Sequence, residues 1–274
     1  MSIPPNPNSA IVTALVPTWQ PEQITNFEFM SGGFSSHNFS FLREVSGRVE
    51  KYVLRVPQGQ QPFVDRRAEK ALYAQLPTNT HAKLIAFDEQ SGQMITQWVE
   101  GPILADVFLE RFVEEDLLPY VWGLHRVIPD ITRTYDVEKL ATMLSSNANT
   151  HKLESINAAQ LVPCHNDLNP WNVIIGQEGW TTLDWEFVGL NDPLFDLIAL
   201  HQGLELADTN LFKLADNFLG GCSEQRFVSN LRRFWVRELT WADYQLSHGN
   251  LRDEIRHQQT VAYEKLRSIY SGSA

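Results

Sequence analysis

The chain has 274 residues, 43% of them hydrophobic, enough to bury a substantial core in one large domain or two small ones. Lys and Arg number 22 against 33 Asp and Glu, and the resulting charge of −11 argues against a nucleic-acid or anionic-membrane surface. Two cysteines make no disulfide framework, the first residues lack a basic signal-peptide start, and no apolar run nears the length of a membrane span, so a cytoplasmic protein is expected.

Residues 1–20 begin rich in Pro and Asn and then turn helical, with Pro17 as a breaker. Residues 27–30 (Phe-Glu-Phe-Met) and 38–42 (Asn-Phe-Ser-Phe-Leu) alternate as strands. Between them lie Ser31, Gly32, Gly33, Phe34, Ser35 and Ser36, either a hairpin turn or a loop whose glycines let backbone amides approach phosphates. A third strand, 52–57, carries one charge, Arg55, which needs a partner if buried. Residues 66–76 read as a helix in which Glu69 either meets that charge or faces solvent beside Asp65, Arg66 and Arg67. Two short strands, 81–87 and 93–99, precede a break at Glu100-Gly101-Pro102. From Leu104 onward the spacing of Phe108, Phe112, Leu117, Leu118 and Val121 is helical, and His125 reads as a buried or capping side chain on such a helix. A further helix is expected over 136–145 and a polar lead-in over 147–159.

Chemistry concentrates in residues 161–196. His165-Asn166-Asp167 is followed five residues later by Asn172, then by an apolar run, a turn and a second run ending at Asp184-Trp185-Glu186. This predicts a loop and a β-hairpin with oxygen ligands at both ends: an acid to take a proton, plus an amide and an acid for Mg²⁺. Cys164 beside the loop reads as a small buried residue rather than a nucleophile. Asn191-Asp192 then caps a helix opened by Pro193 and running from Leu194 through His201. Near the C-terminus, Trp241 and Tyr244 stand three apart on one helix face, as core aromatics or as a surface for an organic cation.

The spacing His165-x-Asp167-x₄-Asn172, with Asp184 beyond, resembles the kinase catalytic loop and its metal-binding aspartate. The Pro170-Trp171 insert, Asp184-Trp185-Glu186 and Asn191-Asp192-Pro193-Leu194-Phe195-Asp196 resemble the aminoglycoside phosphotransferase superfamily, and within it the choline/ethanolamine and thiamine kinase branch. The resemblance extends over about residues 26–249 and is most specific in 165–196. It implies an α+β, bilobal protein-kinase-like fold. The N-lobe (1–97) would be mainly antiparallel sheet plus one helix, and the C-lobe (98–274) mainly helical with a catalytic β-hairpin.

The same resemblance assigns roles. Asp167 is the catalytic base; Asn172 and Asp184 hold Mg²⁺ on ATP, with Glu186 a weaker ligand. Residues Ser31 to Ser36 cover the phosphates, Arg55 held by Glu69 grips them, and the backbone of Gln97, Trp98 and Val99 meets the adenine. Trp185, Glu186, Trp241 and Tyr244 bind the acceptor, a small cationic alcohol. His165 and Asp196 support the catalytic loop. Choline or ethanolamine ranks first as acceptor, thiamine second, and aminoglycosides third, since Glu238 and Asp243 alone make no wall of carboxylates. A protein kinase fits poorly, because no Ala-Pro-Glu segment follows Asp184, and a zinc hydrolase fits poorly with one histidine at the loop. A pseudokinase-like binding module would lack the base, a metal ligand or the phosphate-gripping cation, and all three are in place.

Overall fold

The computed structural model describes residues 7–31, 35–58, 61, 63–144, 153–157, 160–177 and 179–271. By contacts the chain divides into two compact units, one of Met1–Pro102 with Val173–Glu186, the other of Ile103–Asn172 with Phe187–Ala274.

The first unit opens with helix α1 (Ser9–Leu15), whose start is capped by the Asn8 side chain accepting the Ala10 N–H at 3.1 Å. Strands β1 (Ile24–Met30), β2 (Ser36–Val45), β3 (Arg48–Pro57), β4 (Leu84–Phe87) and β5 (Met94–Gln97) form an antiparallel sheet in the order β1-β2-β3-β5-β4. Ser46 and Gly47 turn β2 into β3 with both φ angles positive, the backbone that suits a two-residue hairpin loop. On one sheet face Phe41 and its cross-strand partner Tyr52 stack at 5.5 Å and join Val12, Trp19, Ile24, Leu54 and Ile95 in the core. Because side chains alternate along a strand, Arg55 leaves β3 on the face opposite Leu54. Helix α2 (Arg66–Tyr73) is shorter than the expected 66–76 but contains Glu69, and Asp65 caps it by accepting the Arg67 and Ala68 N–H groups.

The two-stranded hairpin β7 (Val173–Gly176) and β8 (Gly179–Thr182) belongs to this first unit, although its place in the sequence suggested the company of the helices. The Ile175 N–H donates to Pro102 O and the Thr182 N–H to Thr80 O, both at 2.9 Å. Gly101 makes the approach possible: its φ is +142°, and a Cβ there would lie 2.3 Å from Ile175 O.

The second unit is mainly helical, with α3 (Leu104–Arg111), α4 (Leu117–Val127), α5 (Val137–Leu144), α6 (Leu194–Gly203), α7 (Leu211–Leu219), α8 (Glu224–Ser247) and α9 (Asp253–Ser271). Strands β6 (Val162–Cys164) and β9 (Gly189–Asn191) pair antiparallel beside the loop that carries Asp167. The long helix α8 starts at Ser223, whose hydroxyl accepts the Arg226 N–H, and packs on α5, α6 and α9. Helix α6 is buried on nearly every side, from Leu194 to Gln202, because it threads the centre of this unit. Asp192 accepts the Leu194 N–H at 3.0 Å and is itself held by Arg226 through both oxygens. The helix expected over 136–145 is α5, and Ser145, like most of the 147–159 lead-in, lies outside the described residues. Among the described residues no helix is long and apolar enough to cross a membrane.

Candidate active site

In the first unit the buried charge on β3 meets acids from three places in the sequence. Arg55 Nη2 lies 2.7 Å from Glu69 Oε1, and its Nη1 lies 3.1 Å from Asp184 Oδ1. A second guanidinium, Arg66, sits between Glu69 Oε2 at 2.7 Å and Glu186 Oε2 at 2.8 Å. Three carboxylates thus share two guanidiniums. Glu69 and Glu186 are almost wholly buried, whereas 29% of the Asp184 side chain stays open. Asp184 also holds φ at +59°, a strained backbone for a residue with a Cβ. Burial, then the Asp184 charge, raises the Glu186 carboxyl to about 8, with Arg55 and Arg66 pulling the other way. Oxygens of Glu69, Asp184 and Glu186 all lie within 4.8 Å of one another, a hard-donor set that fits Mg²⁺.

The remaining nucleotide candidates lie in the same unit. Ser35 O accepts the Gln58 N–H at 2.9 Å and the Gln61 amide at 3.0 Å, and Gln61 in turn meets Arg66. Ser36 is buried at the start of β2, and Ser31 is exposed just past β1. Gly32, Gly33 and Phe34 lie outside the described residues. At the end of β5, the Gln97 N–H donates to Lys83 O and the Trp98 N–H to Lys51 O, so these two amides are already engaged; Val99 is half-buried beside them. Trp185 is 1% exposed and its indole N–H donates to Thr182 O at 3.1 Å.

In the second unit the catalytic-loop candidate is pinned from beneath. Asp196, fully buried on α6, accepts the His165 N–H at Oδ2 and the Asn166 N–H at Oδ1, both at 2.7 Å, while His125 Nε2 lies 2.8 Å from Oδ2. Burial pushes this carboxyl up, but the His125 bond and charge, the nearby His165 and the backbone donor outweigh it and hold Asp196 below its ordinary range. Asn166 adopts φ of +66° and spends its amide on three carbonyls, Cys164, Phe187 and Gly189; its own oxygen accepts from Asn191 at 2.8 Å. Beyond this knot, Asp167 N donates to His165 Nδ1, and Asn172 Nδ2 donates to Asp167 O at 3.0 Å. Cys164 is fully buried, and its thiol is pushed well up by that burial.

Helix α8 delivers a residue that sequence reasoning passed over. Arg237 pairs with Asp167 Oδ1 through one nitrogen and with Glu238 through the other. Trp241 and Tyr244, four and seven residues on, are half-buried on the same helix face, and Tyr244 stacks on His248 at 4.0 Å. That i, i+4, i+7 spacing was the available signal for Arg237. Arg66 had a signal too, three residues before Glu69, but its charged neighbours made it look like part of a solvated helix start. Asn166 and Asn191 had none, since only the folded loop shows their bonds.

Residues 100–215 match the model of the phosphotransferase enzyme family (APH). Protein LicA of Haemophilus influenzae is 27% identical over 231 residues, spanning 73% of this chain and 66% of that one, just under two thirds of its length. The choline kinase LicA from Streptococcus pneumoniae superposes with a TM-score of 0.71 at 17% identity, covering 94% of this chain and 98% of that one, and a LicA solved in complex with AMP gives the same score and identity. The aminoglycoside phosphotransferase APH(4)-Ia gives 0.63 at 14% identity over 97% and 99% of the two chains. The fold is kinase-like and α+β, with the five-stranded antiparallel sheet N-terminal and the helices C-terminal.

Proposed function

We propose that this protein transfers the γ-phosphoryl group of ATP to the hydroxyl of a small cationic alcohol, with choline or ethanolamine ahead of thiamine and aminoglycosides. The observation that carries the reading is the loop knot: Asp196 takes the backbone of His165 and Asn166, which sets Asp167 and Asn172 in one rigid turn. Phosphoryl transfer asks a protein mainly for such positioning and for charge neutralisation. On this reading residues 1–97 serve the nucleotide and 98–274 the acceptor.

Asp167 orients the acceptor hydroxyl and takes its proton as the oxygen attacks phosphorus. Arg55, braced by Glu69, neutralises phosphate charge, with Ser31, Ser35 and Ser36 assigned to the same groups. Asn172, Asp184 and Glu186 would hold Mg²⁺, which when bound supplies a counter-charge to the phosphates. Gln97, Trp98 and Val99 border the adenine; with two of their N–H groups engaged, backbone carbonyls there and the remaining amide supply the contacts. Trp241 and Tyr244 face the acceptor's cation, and buried Trp185 backs Asp184 and Glu186. Both cysteines are free, in keeping with a reducing cytoplasm. The LicA likeness favours choline-type acceptors.

The test is ADP release from Mg-ATP against choline, ethanolamine, thiamine and an aminoglycoside panel. Turnover on one cationic alcohol supports the proposal and names the acceptor. If Mg-ATP neither turns over with any of them nor raises the melting temperature, the phosphotransferase reading is lost.

A further inference from the structure

Arg237 occupies a position that a surface arginine would not. Its side chain is 12% exposed, and the guanidinium lies 5.7 Å from the centroid of the Phe187 ring. One nitrogen meets Asp167 Oδ1 and the other meets Glu238 Oε1, while Glu238 Oε2 is held in turn by the Gln258 amide of α9. Gln258, Glu238, Arg237 and Asp167 therefore form one chain of polar contacts from helix α9 to the catalytic-loop candidate. A long flexible side chain fixed at both ends behaves as scaffold, and the carboxylate at its tip inherits that fixed orientation. Stability alone is a weak reason for such a pair, since desolvating the charges offsets much of their attraction.

We propose that Arg237 is a positioning residue for phosphoryl transfer, acting through Asp167 by holding its carboxylate turned toward the acceptor hydroxyl, with Glu238 and Gln258 as its anchor. The assignment rests on the kinase reading above. It differs from an acceptor-binding role, in which Arg237 would touch the substrate itself and its loss would weaken acceptor affinity.

The experiment compares Arg237→Gln, Arg237→Lys and Glu238→Gln with the wild-type protein, using the acceptor that the wild type turns over best. A misplacement of about 1 Å costs roughly 10²-fold in rate, so Arg237→Gln is expected to lower kcat by about that factor. KM for Mg-ATP and for the acceptor should stay within about threefold, the pattern of an interaction that matters only in the transition state. Arg237→Lys should recover about tenfold of the loss, and Glu238→Gln should lose about tenfold. In an Asp167→Asn background, Arg237→Gln should cost no further kcat, because residues acting as a unit are non-additive. A raised acceptor KM with kcat intact would overturn the proposal, as would an undiminished kcat or a full additional loss in the Asp167→Asn background. If Arg237→Gln does not fold, Arg237→Lys and Glu238→Gln carry the same comparison. Absence of turnover in the wild type would remove the kinase reading and this role together; turnover matched by every Arg237 variant would remove the role alone.

Discussion

Two buried polar clusters, one in each unit, solve opposite problems with the same residue types. In the first, the carboxyls of Glu69, Asp184 and Glu186 face the guanidiniums of Arg55 and Arg66, and the Asp184 edge stays open. In the second, Asp196 gives its oxygens to two backbone N–H groups and His125, and nothing is open. The first has the character of a receptor for an outside cation, and the second that of a keystone. A site that must take in a cation keeps a carboxylate edge open; a loop that must hold its shape satisfies every group from within the protein.

The sharpest way to break the comparison is at the residue that the keystone presents. Asp167→Ala should lower turnover by about 10²–10⁴-fold, the usual span for losing an acid–base group, with the Mg-ATP melting shift retained. A variant that still turns over at the wild-type rate would show that the pinned loop holds something other than the base. Next comes the keystone itself. Asp196→Ala strands two buried N–H groups and His125, and should cost about 3–5 kcal/mol in a urea titration. A loss below about 1 kcal/mol, the range of ordinary surface changes, would mean that the loop is held by other contacts.

A smaller effect is expected at Gly101, where the hairpin meets the rest of the first unit. Gly101→Ala forces a Cβ onto Ile175 O in a left-handed backbone and should destabilise by at least about 1–3 kcal/mol. Unchanged melting would show that the β7–β8 hairpin does not depend on that approach.

The mildest prediction sets the clusters' units against each other in pH. Glu186, raised from its ordinary 4.5 to about 8 chiefly by burial and then by Asp184, binds its proton more tightly folded than unfolded. Its contribution to stability is full below 4.5 and is lost as pH climbs toward 8. His201 of α6 is lowered from 6.5 to about 4, first by burial, so its contribution is present above 6.5 and is lost as pH falls toward 4. Melting curves without divalent cation should therefore slope down on both sides. Glu186→Gln should flatten the alkaline side alone, and added Mg²⁺ should recover stability there; a variant with the wild-type alkaline slope would acquit Glu186.

Much of this arrangement was legible before any coordinates. Phe39, Phe41, Tyr52 and Leu54 announce strands by their alternation, and Ser46-Gly47 announces the turn between two of them. The ordered set of His165, Asp167, Asn172 and Asp184 marked the candidate residues because its spacing is local and can be read along a short stretch of sequence. That Arg55 needs a partner could be read in advance, and the kinase resemblance, with its strand cation followed by a helix acid, pointed to Glu69.

The sequence by itself determined the main strands of the sheet, the hairpin and most of the helices, and marked the catalytic-loop residues and Arg55, because these depend on a few neighbouring residues. Only the tertiary structure decided that the β7–β8 hairpin joins the first unit, that Arg66 bridges Glu69 and Glu186, and that Arg237 reaches Asp167 from 70 residues away. It also decided that Asn166 and Asn191 form the knot under the loop. These are contacts between segments distant in sequence, and a pairing of that kind is selected by how whole elements pack and by the cost of leaving a buried polar group unmatched, neither of which has a local spacing to read.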